Sequence, residues 1–563
     1  MTSPLKIVIV GGVAGGASAA TRARRCNEQA DIVLFEKDEH VSFANCGLPY
    51  HIGGEIAERG KLLVATRELL EKRFRLDVRT RQEVVRINRR QKTITVRRLD
   101  NGEPTEYEQP YDRLILSPGA APFVPPMPGA DAAGVFTLRN IADMDRIIAA
   151  TDASADRKVV VVGGGFIGLE MVEQLHHRGF TVSLAELQPQ VLPPMDPEMV
   201  VPIQDDLRAR GVEVQLGDGI KQIVVNPDGT AAGVELSSGR VLSGSLIILG
   251  LGVRPNTQLA AAADLEIGRT GGIAVNEYFQ TSDPDIYAVG DVCEYSYGPT
   301  GEKMRIPLAG PANRAGRLAG QHAATGTGTP AAPVFGTAIV RVFETTAAMT
   351  GLSMKAAARA GLDACFAVVV AGQHAGYFPG AQPMTLKLVF APKTGKVLGA
   401  QAIGADGVDK RIDVIATAMA FGATVRDLAG LDLAYAPPYG SAKDPVHQVA
   451  FAACNQLDGF AELLPSHADL SGMQVVDVRT KAEVEKVPLS CCTTSVNIPV
   501  DELRDRLHEL QPGVRTVVSC AVGVRGHVAT RILRQSGFPD TANLSGGATV
   551  RRRAATEGND QTQ

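Results

Sequence analysis

Two cysteines stand in settings where a thiol can serve as a reagent. Cys46 lies in Ser42-Phe43-Ala44-Asn45-Cys46-Gly47-Leu48-Pro49-Tyr50. It is solitary: a C-x4-C partner would fall at position 51, which is His51. A redox role requires dipoles or positive charge to lower its pKa. Its oxidised form must then be a mixed disulfide, a sulfenic acid or a persulfide. Cys520 lies in Val517-Val518-Ser519-Cys520-Ala521-Val522-Gly523-Val524-Arg525-Gly526. An apolar run ends, the cysteine opens a six-residue loop, and a helix pattern follows from His527 to Gln535. A loop curled this way points N–H groups at the sulfur and sits at a helix N-terminus, and both favour an anionic thiolate or persulfide. Arg525 closes the loop. Cys26, Cys293, Cys365 and Cys454 read as small core or surface residues. The vicinal pair Cys491-Cys492 suits either resolution of a sulfur on Cys520 or a soft metal. No Cys/His spacing matches a zinc site, so no metal is expected.

The elements that must position these thiols begin with Ile7-Val8-Ile9-Val10, followed by Gly11-Gly12-Val13-Ala14-Gly15-Gly16, a helix pattern, and Ile32-Val33-Leu34-Phe35-Glu36. Strand, glycine turn, helix, strand and acid are the layout of a dinucleotide-binding βαβ unit. Glycines let the backbone approach a pyrophosphate, the helix N-terminus offers N–H groups, and Glu36 suits a ribose. Val13 departs from strict G-x-G-x-x-G. A second copy has every glycine: Val159-Val160-Val161-Val162, then Gly163-Gly164-Gly165-Phe166-Ile167-Gly168, a helix pattern, and a strand ending at Glu186. Two such motifs imply two dinucleotides on one chain. Glu186 favours a free 2′-hydroxyl, hence NADH over NADPH, and Leu187-Gln188 supply no arginine for a 2′-phosphate. Gly252 follows, and Ala288-Val289-Gly290-Asp291 ends a strand with a carboxylate suited to a sugar hydroxyl. A thiolate placed near a flavin, as Cys46 would be just after the first motif, can exchange electrons with it.

Composition sets the frame. A chain of 563 residues implies three or four domains. Charged residues at 21% and apolar ones at 45% fit a globular protein rather than a disordered one. A net charge of −4 gives no reason to expect nucleic acid as a partner. Eight cysteines are too few for a disulfide scaffold. No run is long and apolar enough for a transmembrane helix, and the start reads as a first strand rather than a signal peptide, so no membrane association and a cytoplasmic setting are expected. Residues 334–455 read as a separate α+β domain, 456–467 as a linker, 468–550 as a small α/β unit, and 551–563 as a frayed tail.

The first ~455 residues resemble the pyridine nucleotide–disulfide oxidoreductases, in their single-cysteine coenzyme A-disulfide reductase branch. The residues that carry this are 11–18, 42–50, Tyr111-Asp112-Arg113-Leu114-Ile115-Leu116-Ser117-Pro118-Gly119-Ala120, 163–170, 288–291 and Ala434-Tyr435-Ala436-Pro437-Pro438-Tyr439. Residues 468–550 resemble a rhodanese domain through Val475-Val476-Asp477-Val478-Arg479, Asn497-Ile498-Pro499, the Cys520 loop and Asn543-Leu544-Ser545-Gly546-Gly547. The fusion resembles reductases also described as NADH-dependent persulfide reductases. A Gly-His-Ile stretch usual before Asn-Ile-Pro is replaced by Pro488-Leu489-Ser490-Cys491-Cys492.

The resemblance implies an α/β protein with two nested dinucleotide-binding domains, an α+β dimerisation domain and a C-terminal rhodanese domain. The expected boundaries are 1–150 with 271–330 for FAD, 151–270 for NAD(P)H, 331–455 for dimerisation, and the linker, rhodanese and tail given above. FAD is expected at Gly11, Val13, Ala14, Gly15, Gly16, Glu36, Lys37, Ser117, Gly119 and Asp291, and NADH or NADPH at Gly163, Gly165, Gly168, Glu186 and Gly252. Coenzyme A is expected along Ser18, Arg22, Arg25, Ser42, Asn45, Asn313 and Lys443. Arg22 and Arg25 are three apart on one helix face, which suits a phosphate clamp. The family's basic residue near position 74 is replaced by Phe74. Tyr377 and Tyr435 match tyrosines that reach the partner's site in a homodimer. The expected catalytic residues are therefore Cys46, Cys520, Arg525, Tyr377 and Tyr435. The expected activity is NAD(P)H-linked reduction of a coenzyme A persulfide, polysulfide or coenzyme A disulfide at Cys46, coupled to sulfane-sulfur transfer at Cys520. Two alternatives stand beside it. One is an NADH oxidase or peroxidase cycling Cys46 as a sulfenic acid. The other is a redox module whose last domain only docks a sulfur-carrier partner.

Overall fold

The structure, a computed structural model, describes residues 3–99, 105–489 and 495–552. The chain divides into two compact units, Met1–Pro189 with Gln215–Gly336, and Gln190–Val214 with Thr337–Gln563. Both mix helices with sheet, as the alternating patterns predict. Among the described residues no helix is long and apolar enough to cross a membrane.

The first unit is built on two parallel sheets. In one, strands Ile286–Ala288, Arg113–Leu116, Lys6–Val10, Asp31–Phe35 and Asp77–Arg79 lie side by side in that order. Ile7 to Val10 are all buried, which explains their continuous apolar run: a parallel strand covered on both faces has no polar side to show. In the other, Thr181–Glu186, Lys158–Val162, Leu246–Leu249 and Val135–Phe136 are neighbours in that order. The chain leaves the first sheet, builds the second, and returns to the first with Ile286–Ala288. The second sheet begins earlier than position 151, because Val135–Phe136 already pairs within it. Helix Ala309–Thr325 packs on helix Ala14–Cys26 at close range. A Cβ on Gly316 would lie 2.1 Å from the Gly15 carbonyl oxygen, so only glycine permits this approach.

In the second unit an antiparallel sheet runs Ala338–Val342, Thr345–Gly351, Val397–Gly404, Pro383–Phe390, Cys365–Gly372. Helix Pro197–Ala209 belongs to this unit, although 151–270 was expected to be one nucleotide domain. The cause is a buried charge cluster: Lys387 Nζ lies 2.9 Å from Asp196 and 2.5 Å from Glu198, and Gln401 donates to Asp196 at 2.7 Å. A second, parallel sheet runs Glu462–Leu464, Thr541–Leu544, Thr516–Ser519, Gln474–Asp477, Val496–Asn497. Its core gathers Val476, Val518, Ala529 and Leu533. Two expectations change here. The linker at 456–467 contains Glu462–Leu464, the edge strand of this sheet. The tail at 551–563 starts with helical residues 551–552, and buried Arg551 donates to the carbonyls of Ser466 and Ala468 at 2.9 Å each. Residues 553–563 lie outside the described residues, as do Cys491 and Cys492. Ser545 Oγ accepts from the Val368 N–H at 3.0 Å, fastening the turn after Thr541–Leu544 to the edge strand Cys365–Gly372.

Candidate functional site

The two glycine turns are built alike. Gly11 has φ +92°, and a Cβ there would lie 2.1 Å from the Ser117 carbonyl oxygen. Gly163 has φ +109°, and its Cβ would lie 2.4 Å from the Gly250 carbonyl oxygen. Gly16 and Gly168 each let their helix sit on the preceding turn, since a Cβ on either would lie 1.8 Å from a carbonyl oxygen. Glu36 accepts from the N–H of Gly12 at 2.8 Å and of Asp38 at 3.0 Å. Glu186 accepts from the N–H of Gly164 at 2.6 Å and of Gln188 at 2.7 Å. Burial pushes the Glu36 carboxyl up, and its N–H bonds pull it back. Val13 is the residue before helix Ala14–Cys26 and has φ −92°, so the missing glycine brings no strain. The turns differ in cover. A Cβ on Gly15 would meet Ser117 Oγ at 2.8 Å, whereas Gly165 has nothing within 4 Å. Such cradles fit a pyrophosphate, with free N–H groups at the start of a helix of 13 residues in one case and 12 in the other. Lys37 is exposed next to Glu36. Ser117 donates its N–H to Val10 O at 2.7 Å. Gly119 and Gly252 flank the antiparallel pair Ala120–Pro122 and Val253–Pro255. Asp291 follows Ile286–Ala288 in a short 3-10 turn and pairs with Arg139 at 3.3 Å.

Cys46 sits in the 3-10 turn Asn45–Gly47 and is exposed. Its Sγ donates to Asn45 Oδ1 at 3.6 Å. The expectation of a lowered pKa is not met in this chain. The surrounding protein desolvates the thiol and pushes it up, the carboxylates of Glu170 and Asp291 add to this, and Arg139 opposes them. Glu170 comes from helix Phe166–His177 of the second motif, and its Oε1 accepts from Tyr50 OH at 3.1 Å. Thus groups from the second motif, from the turn after Ile286–Ala288 and from Arg139 act on one sulfur. Arg139 was missed by sequence reading, because nothing local marks it. Glu170 was quoted only as part of a glycine motif.

The expected coenzyme A residues fall into separate places. Ser18 Oγ donates to Asn313 Oδ1 at 2.6 Å, and Arg22 donates to Gln321 at 2.5 Å, so these line the seam between helices Ala14–Cys26 and Ala309–Thr325. Gln321 was not foreseen. Arg25 does not join Arg22 in a clamp: it is exposed, donates to Thr21 O, and lies over the Phe74 ring at 5.9 Å. Ser42 adopts φ +47° and donates its N–H to Gly12 O at 2.8 Å, bringing the Cys46 segment against the first glycine turn. Asn45 adjoins Cys46. Lys443 is an exposed residue of the second unit, just before helix Pro445–Leu457. In the same unit Tyr377 and Tyr435 meet through their hydroxyls at 2.8 Å, and both are exposed.

Cys520 is 1% exposed and ends strand Thr516–Ser519. The Gly523 N–H donates to its Sγ at 3.0 Å, as a curled loop should. Its carbonyl accepts from Ala548 N–H at 2.7 Å. Arg525 closes the loop by a bidentate pair with Glu483, at 2.7 and 2.8 Å, against helix Lys481–Lys486. That guanidinium, with the Thr480 N–H, holds the Glu483 carboxyl at about 2. Glu483 was not foreseen. Leu489, from the segment that departs from the rhodanese pattern, is buried in the core.

Comparison with known proteins agrees with this geometry. Residues 5–316 match the pyridine nucleotide-disulphide oxidoreductase family, 337–445 its dimerisation domain, and 461–550 the rhodanese-like domain. The crystal structure of reduced CoADR-RHD from Bacillus anthracis is 46% identical, with TM-score 0.93, covering 98% of this chain and 99% of that one. The structure of a NAD-dependent persulfide reductase from A. fulgidus is 37% identical, with TM-score 0.90, covering 97% and 100%. A coenzyme A disulfide reductase from Staphylococcus aureus is 36% identical over 448 residues, covering 80% of this chain and 99% of that protein. Two glycine cradles, a solitary thiol on the segment held against the first of them, and these matches make the chain a member of the pyridine nucleotide-disulphide oxidoreductase family, carrying that family's dimerisation domain followed by a rhodanese-like domain.

Proposed function

We infer that this chain uses NAD(P)H to reduce a coenzyme A persulfide, polysulfide or disulfide at Cys46, and that Cys520 carries sulfane sulfur. The observation that carries the reading is the placement of the solitary Cys46 segment against the first glycine turn, where Ser42 donates its N–H to Gly12 O at 2.8 Å. Because the protein alone pushes this thiol up, its thiolate must be drawn out by positive charge or dipoles of the bound partners. The printed names of the relatives support it: one is a coenzyme A disulfide reductase and another a NAD-dependent persulfide reductase. Gly11, Val13, Ala14, Gly15, Gly16, Glu36, Lys37, Ser117, Gly119 and Asp291 would hold FAD, and Gly163, Gly165, Gly168, Glu186 and Gly252 would hold NAD(P)H, the two together supplying an electron pair when bound. Glu186 favours NADH.

The chain's own residues do the rest. Ser18, Arg22 and Asn313 hold the carrier along the helix seam, with Ser42 and Asn45 near the thiol. The Cys46 thiolate forms an S–S bond to the inner sulfur of the persulfide, the outer S–S bond breaks, and HS⁻ leaves. An electron pair and one proton then release the coenzyme A thiol and restore the Cys46 thiolate. With a coenzyme A disulfide the first leaving group is the second thiolate. At Cys520 the thiolate takes the outer sulfur of a donor R–S–S⁻, R–S⁻ leaves, and no electrons are gained or lost. In a homodimer, Tyr377 and Tyr435 complete the partner's site.

The test is anaerobic turnover of the purified protein with NADH and coenzyme A persulfide. One sulfide per NADH is expected, with loss of turnover in Cys46→Ser. Faster turnover with peroxide than with persulfide would replace this reading by the peroxidase one.

A further inference from the structure

We propose that Asn543 is a positioning residue for sulfur transfer at Cys520, which rests on the sulfur-carrying role inferred above. Asn543 lies on strand Thr541–Leu544, beside Val518, and is 4% exposed. Its Nδ2 donates to the Gly523 carbonyl at 3.1 Å. Gly523 is the residue whose own N–H donates to Cys520 Sγ at 3.0 Å. The direction of that N–H is set by the Gly523 backbone, at φ +99° and ψ −24° before helix Val524–Gln535. The helix contributes one tie, from His527 N–H to the same carbonyl at 3.0 Å. Asn543 contributes the second, from the neighbouring strand. Two donors from different elements fix the carbonyl, and through it the turn that aims the N–H at sulfur.

The other end of the same amide is unusual. Among the described residues, Asn543 Oδ1 is buried and has no hydrogen-bond partner. Turning the amide over would set Oδ1 against the Gly523 carbonyl, acceptor against acceptor, so the orientation is fixed. A purely structural strand position at this burial would take an apolar residue, as neighbouring Ala542 and Leu544 do. The loop also makes room for the amide: a Cβ on Gly526 would lie 2.2 Å from Asn543 Oδ1 and 3.7 Å from Cys520 Sγ. Asn543 therefore lies against the loop at two places, Gly523 and Gly526. During transfer, negative charge passes from the attacking sulfur to R–S⁻ and onto the terminal sulfur of the new persulfide. An N–H held in place before the step stabilises that charge without reorganisation.

The test is steady-state sulfur transfer from a small organic persulfide to cyanide by the full-length protein, in wild type, Asn543→Leu and Asn543→Asp. The leucine variant removes the amide, and the aspartate keeps its size but cannot donate to the Gly523 carbonyl. In both, kcat falls about tenfold while KM for the persulfide stays within about twofold, because the donor is misaimed and the substrate contacts are kept. NADH-linked turnover at Cys46 is unchanged, which also reports folding of the remainder. If the leucine variant unfolds the last domain, the isosteric aspartate decides. Unchanged kcat in the folded variants, or a loss in which KM rises by the same factor, overturns the proposal. A wild type that transfers no sulfur overturns the sulfur-carrying role and this inference together, so the two failures are told apart.

Discussion

Cys46 and Cys520 are the two thiols proposed to act on sulfur, and the protein surrounds them in opposite ways. Cys46 is exposed, on a short turn, with desolvation by the surrounding protein, then Glu170 and Asp291, pushing its thiol up. Cys520 is 1% exposed and receives the Gly523 N–H directly, from a loop that also carries Arg525. One sulfur depends on groups brought from distant parts of the chain. The other is served by its own loop and the strand behind it. On the proposed reading, the contrast teaches that the two steps would be controlled differently: access and partner charge at Cys46, and fixed local geometry at Cys520.

The largest effect should come from separating the two. Cys46→Ser is expected to lower NADH-linked persulfide reduction about a thousandfold or more while sulfur loading on Cys520 persists, and Cys520→Ser to do the reverse. Parallel assays of sulfide release and of sulfur transfer to cyanide check this. If either substitution removes both activities, the division of labour is wrong. A smaller effect tests the charge around Cys46. Glu170→Gln removes a negative neighbour, so the thiol pKa falls and more thiolate is present at pH 7. Alkylation of Cys46, followed by peptide mass spectrometry, should speed up by about threefold. No change would mean that Glu170 has no hold on this thiol. The smallest effect tests the fixed geometry. The Glu483 carboxyl is depressed from its ordinary 4.5 to about 2. A depressed carboxyl contributes stability above its unfolded pKa and loses it as pH falls through the folded value. Wild type should thus exceed Glu483→Gln in stability above about pH 4.5, with the gap closing toward pH 2. The pair is partly exposed, so the gap is about 1 kcal/mol or less. Thermal unfolding across this range measures it, and a gap that does not change with pH would assign the pair no electrostatic role.

Much of the site was readable where backbone conformation dictates residue type. Gly11 and Gly163 occupy left-handed turns pressed against carbonyls, so both motifs stand out in the sequence. Cys520 was legible because its loop is continuous in the chain. What escaped depends on distance along the chain. Arg139 and Glu170 act on Cys46 from more than ninety residues away, and no local pattern points to them. The Cys46 thiol is pushed up first by desolvation and then by Glu170 and Asp291, and the local sequence shows none of these. Helix Pro197–Ala209 was assigned by sequence continuity, while Lys387 and Gln401 decide where it packs. The linker hid a strand because Glu462–Leu464 is only three residues long. Arg25 was paired with Arg22 on helical spacing, but its side chain turns to Thr21 and Phe74 instead.

Lys387 carries one further consequence. Its side chain is 4% exposed, and those of Asp196 and Glu198 are 3% and 6% exposed. Mobile ions in the buffer cannot enter such a cluster, so its attraction is screened far less than that of Arg59 and Asp145, whose side chains are 43% and 44% exposed. Brine should therefore loosen the outer ion pairs long before it frees the segment that begins at Gln190. In a salt-rich medium, that buried cluster stays paired while exposed pairs such as Arg59–Asp145 yield.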